Sequence, residues 1–348
     1  MIPDVKKYSN NIPENAELII GADVGGTNTN ICVAYEKNGK PELIFSFHYR
    51  TQTISTIVYP LKEVIRYAEM KYKKKPVKAC IAGAGPVNKE RGHCKLTNAE
   101  WDLDVKEIKK HTPLKEVMLI NDFEAIGYGV NLLTKKEIKT LKKGKEKEGA
   151  KTVIGPGTGL GKAILVKSKS KNIYKPIASE GGHVSFPAQD IDDLELLEST
   201  RQELRDTPDY EDFLSGQGVI RIYEYLINKK KYPDTKYRQE ISVSTKKELL
   251  IAKYYNKDSA CSDTFKWLTK LLARCAKNYA LETVSTGGVY LAGGIAINNK
   301  ENISKGVFEK EFIDNRKMKS MLKEIPVYIV LNYDISLKGA CLAIIKEK

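Results

Sequence analysis

The sequence predicts a two-lobed α/β protein, and three observations carry that prediction. At 348 residues the chain exceeds what a single hydrophobic core serves, so two domains are expected, and 41% hydrophobic residues can fill both. A strand, glycine turn and strand near residue 18 recur near residue 152, which implies an internal duplication with two lobes that begin alike. Helical and strand patterns alternate after the first hairpin, as in a parallel sheet covered by helices. The expected division is a small α/β domain over residues 1–132, completed by a C-terminal helix at 336–348, and a large α/β domain over 133–335, with the active site in the interdomain cleft.

Residues 1–15 are polar and expected to be loosely held. Residues 18–23 and 30–35 read as strands about the turn Val24-Gly25-Gly26-Thr27-Asn28. A third strand at 43–49 follows Asn38-Gly39, a strong two-residue hairpin signal. Leu61, Val64, Ile65 and Ala68 recur at helical spacing, so 61–72 is an amphipathic helix. Residues 77–82 form a buried strand ending in Gly83-Ala84-Gly85-Pro86. Asp104-Val105-Lys106-Glu107 resembles a capping box for a short helix ending near His111. The strand at 117–120 then delivers Asn121-Asp122, and Asp122 before a helical run is an N-cap candidate.

Residues 134–149 are dense in Lys and Glu and read as an exposed connection between lobes. Residues 152–166 contain the second hairpin, turning at Gly157-Thr158-Gly159. An acidic helix is expected at 192–206, further helices at 219–228, at 245–255 behind the capping-box pattern Thr245-x-x-Glu248, and at 263–283. Strands at 289–292 and 325–331 precede a closing helix from Leu337 to Lys346.

The composition excludes several classes. No apolar run is long enough to span a bilayer and no signal peptide opens the chain, so a cytoplasmic protein is expected. The six cysteines are scattered without Cys-x-x-Cys, against a zinc site or disulfide framework. A net charge of +14 raises the question of nucleic acid, but the lysines lie in short runs beside turn residues, with no basic helix or RNA-binding signature. No nucleic acid and no membrane partner are expected.

The glycine turns carry the chemistry. In Asp23-x-Gly25-Gly26-Thr27-Asn28, glycines let consecutive N–H groups approach phosphate oxygens, Thr27 and Asn28 add donors, and Asp23 could hold a hydrated Mg2+. Gly157, Thr158 and Gly159 repeat the pattern. This second turn is not a P-loop, since Pro156 stands where the first glycine belongs and Ala163 replaces the Ser/Thr. Gly287-Gly288 and Gly293-Gly294 bracket a strand whose glycine step lets a flat ring lie against backbone. Glu180, His183 and Glu211 are polar residues in glycine-punctuated surroundings.

In combination and order these motifs resemble the bacterial-type glucokinase family, within the hexokinase/actin-like superfamily with its ribonuclease H-like fold. The likeness runs from about Leu18 to the C-terminal helix. It implies that Asp23-Val-Gly-Gly-Thr-Asn28 and Gly155-Pro-Gly-Thr-Gly-Leu-Gly161 are phosphate motifs and that Gly287 to Ile295, with Gly293 and Gly294, receives adenosine. It implies that Asp122 is the catalytic base and that Asn98, Asn121, Asp122, Glu180, His183 and Glu211 hold sugar hydroxyls. The implied activity is transfer of the γ-phosphoryl of Mg-ATP to the 6-hydroxyl of glucose, at the entry to glycolysis; a homodimer is expected because dimers are the common choice among soluble homo-oligomers. The chain departs from the ROK branch of sugar kinases, because no cysteine-rich zinc motif follows His183. It also carries an extension before Leu18 and a lysine-rich insertion at 229–238.

Two other readings start from the same residues. One is a kinase for another hexose, such as mannose, or an N-acetylhexosamine. The other is a sugar-responsive transcriptional regulator of the same fold, against which stands the shortness of the segment before Leu18, too short for three helices. A filament-forming ATPase of the superfamily is opposed by the sugar-site residues.

Overall fold

A computed structural model describes residues 4–9, 11–97, 99–229 and 232–347. In chain order the elements are β1 (Asp4–Lys7), β2 (Leu18–Val24), β3 (Asn28–Lys37), β4 (Lys40–Arg50), α1 (Val58–Tyr72), β5 (Lys78–Gly83), β6 (His93–Cys94), β7 (Leu103–Asp104), α2 (Val105–His111), β8 (Glu116–Asn121) and α3 (Asp122–Val130). There follow β9 (Ile138–Lys142), β10 (Lys151–Pro156), β11 (Leu160–Ser168), β12 (Ile173–Ser179), α4 (Ile191–Leu204), α5 (Gly216–Lys229), α6 (Lys236–Val243), α7 (Lys247–Lys253) and α8 (Ser259–Thr283). The chain closes with β13 (Val289–Leu291), α9 (Gly294–Asn298), α10 (Lys305–Ile313), α11 (Lys319–Glu324), β14 (Val327–Val330) and α12 (Ile335–Lys346).

The chain divides into two compact units. The first comprises Met1–Thr134, Lys167–Ala178 and Asn332–Lys348; the second comprises Lys135–Val166 and Ser179–Leu331. In the first unit the sheet order is β1-β4-β3-β2-β5-β8. β2, β3 and β4 are antiparallel neighbours, while β5 and β8 run parallel to β2. α1 supplies Leu61, Val64, Ile65 and Ala68 to one core, as the helical spacing predicts, and α12 packs the opposite face through Leu337, Ala340, Cys341 and Ile344. Gly339 lets α12 lie close against α3, since a Cβ there would lie 1.7 Å from the Ala125 carbonyl oxygen.

The sheet carrying the second glycine turn has the order β12-β11-β10-β13-β14-β9, with β10 and β11 antiparallel and β13 and β14 parallel to β10. The duplication read from the two hairpins therefore extends through five strands of each sheet. α8 crosses the second unit and buries Phe265, Leu268, Leu272 and Tyr279; Asp258 caps it by accepting the Ala260 and Cys261 N–H groups at 2.9 and 3.2 Å. All six cysteines are buried and free.

Four expectations need correction. The polar start contains β1, which pairs antiparallel with β4 (Asp4 opposite His48 to Lys7 opposite Phe45), so backbone hydrogen bonds hold a segment with little apolar content. The segment 134–149 holds β9, which pairs with β14 and buries Leu141 and Lys142. Lys142 is only 1% exposed, and its ammonium donates to the carbonyls of Lys143, Lys323 and Ile325 at 2.8–2.9 Å, which lets a charged side chain enter the core. Thr245 does not cap α7; its N-cap is Lys246, which makes no side-chain cap bond. The N-cap of α3 is Asn121 rather than Asp122. The rest of the insertion at 229–238 includes Thr235, which caps α6, while Lys230 and Lys231 lie outside the described residues.

Candidate active site

In the first unit, register places Asp23 opposite Ala82 and Val24 opposite Gly83, and in turn Ala82 opposite Ile120 and Gly83 opposite Asn121. The carboxyl ends of β2, β5 and β8 therefore meet on one edge, the place where parallel sheets present ligand-binding residues. β2 delivers Asp23 and the first glycine turn to that edge, and β8 delivers Asn121 and Asp122. Their convergence required strand order, which motifs alone do not give.

The first turn is closed by Gly25 N–H donating to the Asn28 carbonyl at 2.9 Å. The segment after β4 braces it from outside: Thr51 Oγ1 donates to Gly25 O at 2.6 Å and Gln52 Nε2 to Gly26 O at 3.0 Å. Thr51 and Gln52 thus shape the phosphate candidate, and neither carried a signal in the sequence. Thr27 and Asn28 are exposed at the tip, available to a ligand.

Asp23 is partly covered at the base of the turn. Burial pushes its pKa up to about 6, opposed by the nearby Ser336 hydroxyl. Ser336 Oγ is itself buried without a partner in hydrogen-bond geometry. Among the described residues no group of three or more His, Cys, Asp or Glu could hold a metal. The available donor set is one carboxylate, which suits Mg2+, an ion that keeps several waters and takes its other ligands from phosphates. A partly covered carboxyl next to an orphaned hydroxyl fits such a role.

Asp122 is the first residue of α3, and Asn121 fixes it there. Asn121 Oδ1 accepts the Phe123 N–H at 2.8 Å, and Glu124 Oε2 accepts the Asn121 N–H at 3.0 Å, a complete capping box. Arg91 Nη2 holds the other Glu124 oxygen at 3.0 Å. Asn121 Nδ2 donates to Gly85 O at 3.3 Å, which ties the helix start to the loop after β5. Gly85 is required there, since a Cβ would lie 2.0 Å from the Lys95 carbonyl oxygen. Asp122 Oδ1 accepts the Phe123 N–H at 3.0 Å. Asn98 lies outside the described residues; its neighbour Thr97 is anchored by its N–H and hydroxyl to Ala84 O, each at 3.0 Å.

In the second unit, three predicted sugar residues come together. Glu180 precedes a short 3-10 turn, Gly181–His183, against which the segment carrying Glu211 is laid by a Glu211 N–H to Gly182 O bond of 3.0 Å. Glu211 Oε2 accepts the Leu160 N–H at 2.7 Å, directly beyond the second glycine turn. That turn is closed by Gly157 N–H to Gly159 O at 2.8 Å and joined to the start of α5 by Gly216 N–H to Gly157 O at 2.9 Å. Thr158 stands exposed at its tip. The His183 pKa is raised, first by its hydrogen bond to Asp209, against a smaller opposing effect of burial, with further help from the charges of Glu211 and Glu180.

Gly293 and Gly294 lie beside the same turn. Ala292 N–H donates to Ile154 O at 2.8 Å, and a Cβ on Gly293 would fall 2.7 Å from Pro156 O. Gly293 has φ 123°, a conformation that favours glycine. Gly294 is exposed, and a Cβ on Gly157 would lie 3.9 Å from the Gly294 nitrogen. Hydrogen bonds and close backbone approach thus join the second turn to Glu211 and to the Gly293 step within the second unit.

The Glucokinase family model matches residues 20–347. The chain belongs to the glucokinase family. A glucokinase of Nostoc punctiforme is 31% identical over 345 residues, covering 93% of this chain and 98% of the relative. The crystal structure of a glucokinase from an Antarctic psychrotroph superimposes with a TM-score of 0.78 at 25% identity, covering 94% of this chain and 98% of that one. A glucokinase of Balamuthia mandrillaris in complex with glucose shares the fold with a TM-score of 0.76 at 22% identity, covering 96% and 94%. The family extends over both glycine turns and the Asn121-Asp122 step, while β1 precedes the matched region.

Proposed function

We propose that the chain is an ATP-dependent glucose kinase that transfers the γ-phosphoryl group of ATP to the glucose 6-hydroxyl, giving glucose 6-phosphate and ADP. The observation that carries this reading is the Asn121 capping box, which holds the start of α3, and with it Asp122, at the carboxyl edge of β2, β5 and β8, one strand removed from the strand bearing Asp23. Membership in the glucokinase family, and the glucose bound by the Balamuthia relative, support glucose over other hexoses.

In this reading Asp122 accepts the 6-hydroxyl proton while that oxygen bonds to the γ-phosphorus and the bond to the β-phosphate oxygen breaks. Asn98, Asn121, Glu180, His183 and Glu211 orient the sugar through its other hydroxyls. Carboxylates only accept, so Glu180 and Glu211 read hydroxyl protons, whereas Asn121 can also donate. The turn N–H groups at Gly25, Gly26, Thr27 and Asn28, and at Gly157, Thr158 and Gly159, meet phosphate oxygens, and Gly293 and Gly294 accommodate the adenosine. Asp23 would hold hydrated Mg2+, which when bound neutralises phosphate charge. The proposal extends to a cytoplasmic homodimer; light scattering behind gel filtration would return twice the chain mass.

The test is Asp122→Asn in a coupled assay with ATP and glucose. Glucose affinity stays near that of the parent protein, and kcat falls about a thousandfold, the weight of a positioned base. Turnover within a few-fold of the parent would sink the assignment. A sugar panel, read as kcat/KM, separates glucose from mannose and N-acetylhexosamines.

A further inference from the structure

His183 does not stand alone. Its Nδ1 lies 2.9 Å from Asp209 Oδ2, and an ionised carboxylate can only accept, so Nδ1 carries the hydrogen. We infer that Asp209 is the positioning residue for His183, holding the imidazole in one orientation with Nδ1–H toward the carboxylate, so that Nε2 is the atom offered to a sugar hydroxyl. The inference deepens the proposed function and rests on it for the identity of the ligand.

The backbone around Asp209 is built to hold it in place. Phe186 N–H donates to Pro208 O at 3.0 Å and Tyr210 N–H to Val184 O at 3.1 Å, so the segment bearing Asp209 runs antiparallel beside the one following His183. A reciprocal pair of bonds adds to this. Asp212 N–H donates to Asp209 Oδ1 at 3.1 Å, and Asp209 N–H donates to Asp212 Oδ2 at 3.0 Å. Asp212 is itself held by Arg221 Nη1, 3.0 Å from Oδ1 and 3.1 Å from the Asp212 carbonyl. Each Asp209 oxygen therefore accepts from a fixed N–H, one on His183 and one on the backbone, and the carboxylate cannot rotate without losing both.

The imidazole needs this support because its ring is more than half exposed, with a side-chain exposure of 56% against 23% for Asp209. A ring so exposed is held loosely by its surroundings, so without the carboxylate its two tautomers exchange more freely and its χ2 is less restricted. The charged groups that face it are Asp209, Glu180 and Glu211, all anionic. Of these three Asp209 is the one hydrogen-bonded to the ring and sets its orientation, whereas the other two act through their charge. The same pairing, a carboxylate on one ring nitrogen fixing what the other presents, governs histidines that bind metals.

Asp209→Asn keeps the shape and the acceptor for Asp212 N–H, and removes the negative charge facing Nδ1. The sequence has only four histidines, so the ring proton of His183 can be followed by NMR and assigned by its loss in His183→Gln. In Asp209→Asn the His183 titration moves to lower pH, because the carboxylate that favours the imidazolium is gone. The glucose KM rises about tenfold with a smaller change in kcat, as expected when a binding group is misaligned rather than the base removed. Asp209→Glu restores the titration midpoint toward the parent value. An unchanged His183 titration in Asp209→Asn overturns the inference, and so does a loss confined to kcat. If the parent protein phosphorylates no sugar, the proposed function fails while the titration still decides the Asp209–His183 pairing, so the two failures are distinguishable.

Discussion

Asp23→Asn is predicted to make the protein more stable while impairing it as a kinase. The Asp23 carboxyl has an ordinary pKa of 3.8 that burial raises to about 6 in the folded chain. Below the lower value both folded and unfolded chains hold the proton, and Asp23 costs nothing. Between the two values the folded chain binds more proton than the unfolded one, so stability falls as pH rises through this window, and above it the full cost persists. At about 1.4 kcal/mol per unit, and allowing for the solvent that reaches a partly exposed carboxyl, the cost is ~1–3 kcal/mol at neutral pH. Asparagine has the same shape, can still pair with the orphaned Ser336 hydroxyl and carries no charge to desolvate. Thermal or urea unfolding without nucleotide and with a chelator should show Asp23→Asn the more stable at about pH 8, by that amount, with the difference shrinking by more than half at about pH 4.5. A variant less stable than the parent at the higher pH, or a difference that does not change with pH, would refute the reasoning. Weaker nucleotide binding alongside the gain would mark the carboxylate as strain kept for function.

Two further predictions follow from packing. Gly159→Ala places a methyl 2.4 Å from Glu211 Oε2, so the carboxylate must leave the Leu160 N–H; losing that charged bond, worth ~1.5–3 kcal/mol, should raise the glucose KM by ten- to a hundredfold, and an unchanged glucose KM in steady-state kinetics would contradict the link between turn and sugar residue. Lys142→Met leaves three carbonyls of the second unit without their donor, and chemical denaturation should show a loss of about 2–4 kcal/mol, whereas a neutral result would mean water replaces the ammonium.

What could be read from the sequence followed from local signals. The Asn38-Gly39 hairpin, the helical spacing of Leu61, Val64, Ile65 and Ala68, and the two glycine turns each sit within a few residues, and the structure places them as read. β1 and β9 were missed because their stability is not local: β1 exists through β4, and β9 through β14, almost two hundred residues on. At the site, Asp122 was legible as a carboxylate after a buried strand. Its fixation by Asn121, Glu124 and Arg91 was not, because Arg91 reaches Glu124 from a loop whose course no spacing reveals. Asp209 gave no signal for the same reason. It stands two residues before Glu211 in a segment that reads as polar loop, and only the antiparallel pairing with the residues after His183 gives its carboxylate a purpose.

The two sheets share strand order and direction about their central strands, and each central hairpin ends in a glycine turn with an exposed threonine at its tip, Thr27 or Thr158. They differ in charge. The first turn is preceded by the partly buried carboxyl of Asp23, whereas Ile154, Gly155 and Pro156 lead into the second with no acid at all. Instead, the second turn takes its carboxylate from elsewhere, through Glu211 against Leu160 N–H, and that carboxylate belongs to the proposed sugar set. The duplicated frame thus serves two tasks by moving one charge: held at the base of the turn it can face a metal ion on phosphate, and held at the side of the turn it can read a hydroxyl. An acid placed at the second turn by Gly155→Asp should then not create a metal site, because position 155 is buried. It should instead cost several kcal/mol of stability by burying an unpaired charge, which denaturant unfolding measures; a folded variant of parent stability that gains a Mg2+ site by calorimetry would show that the two turns are interchangeable.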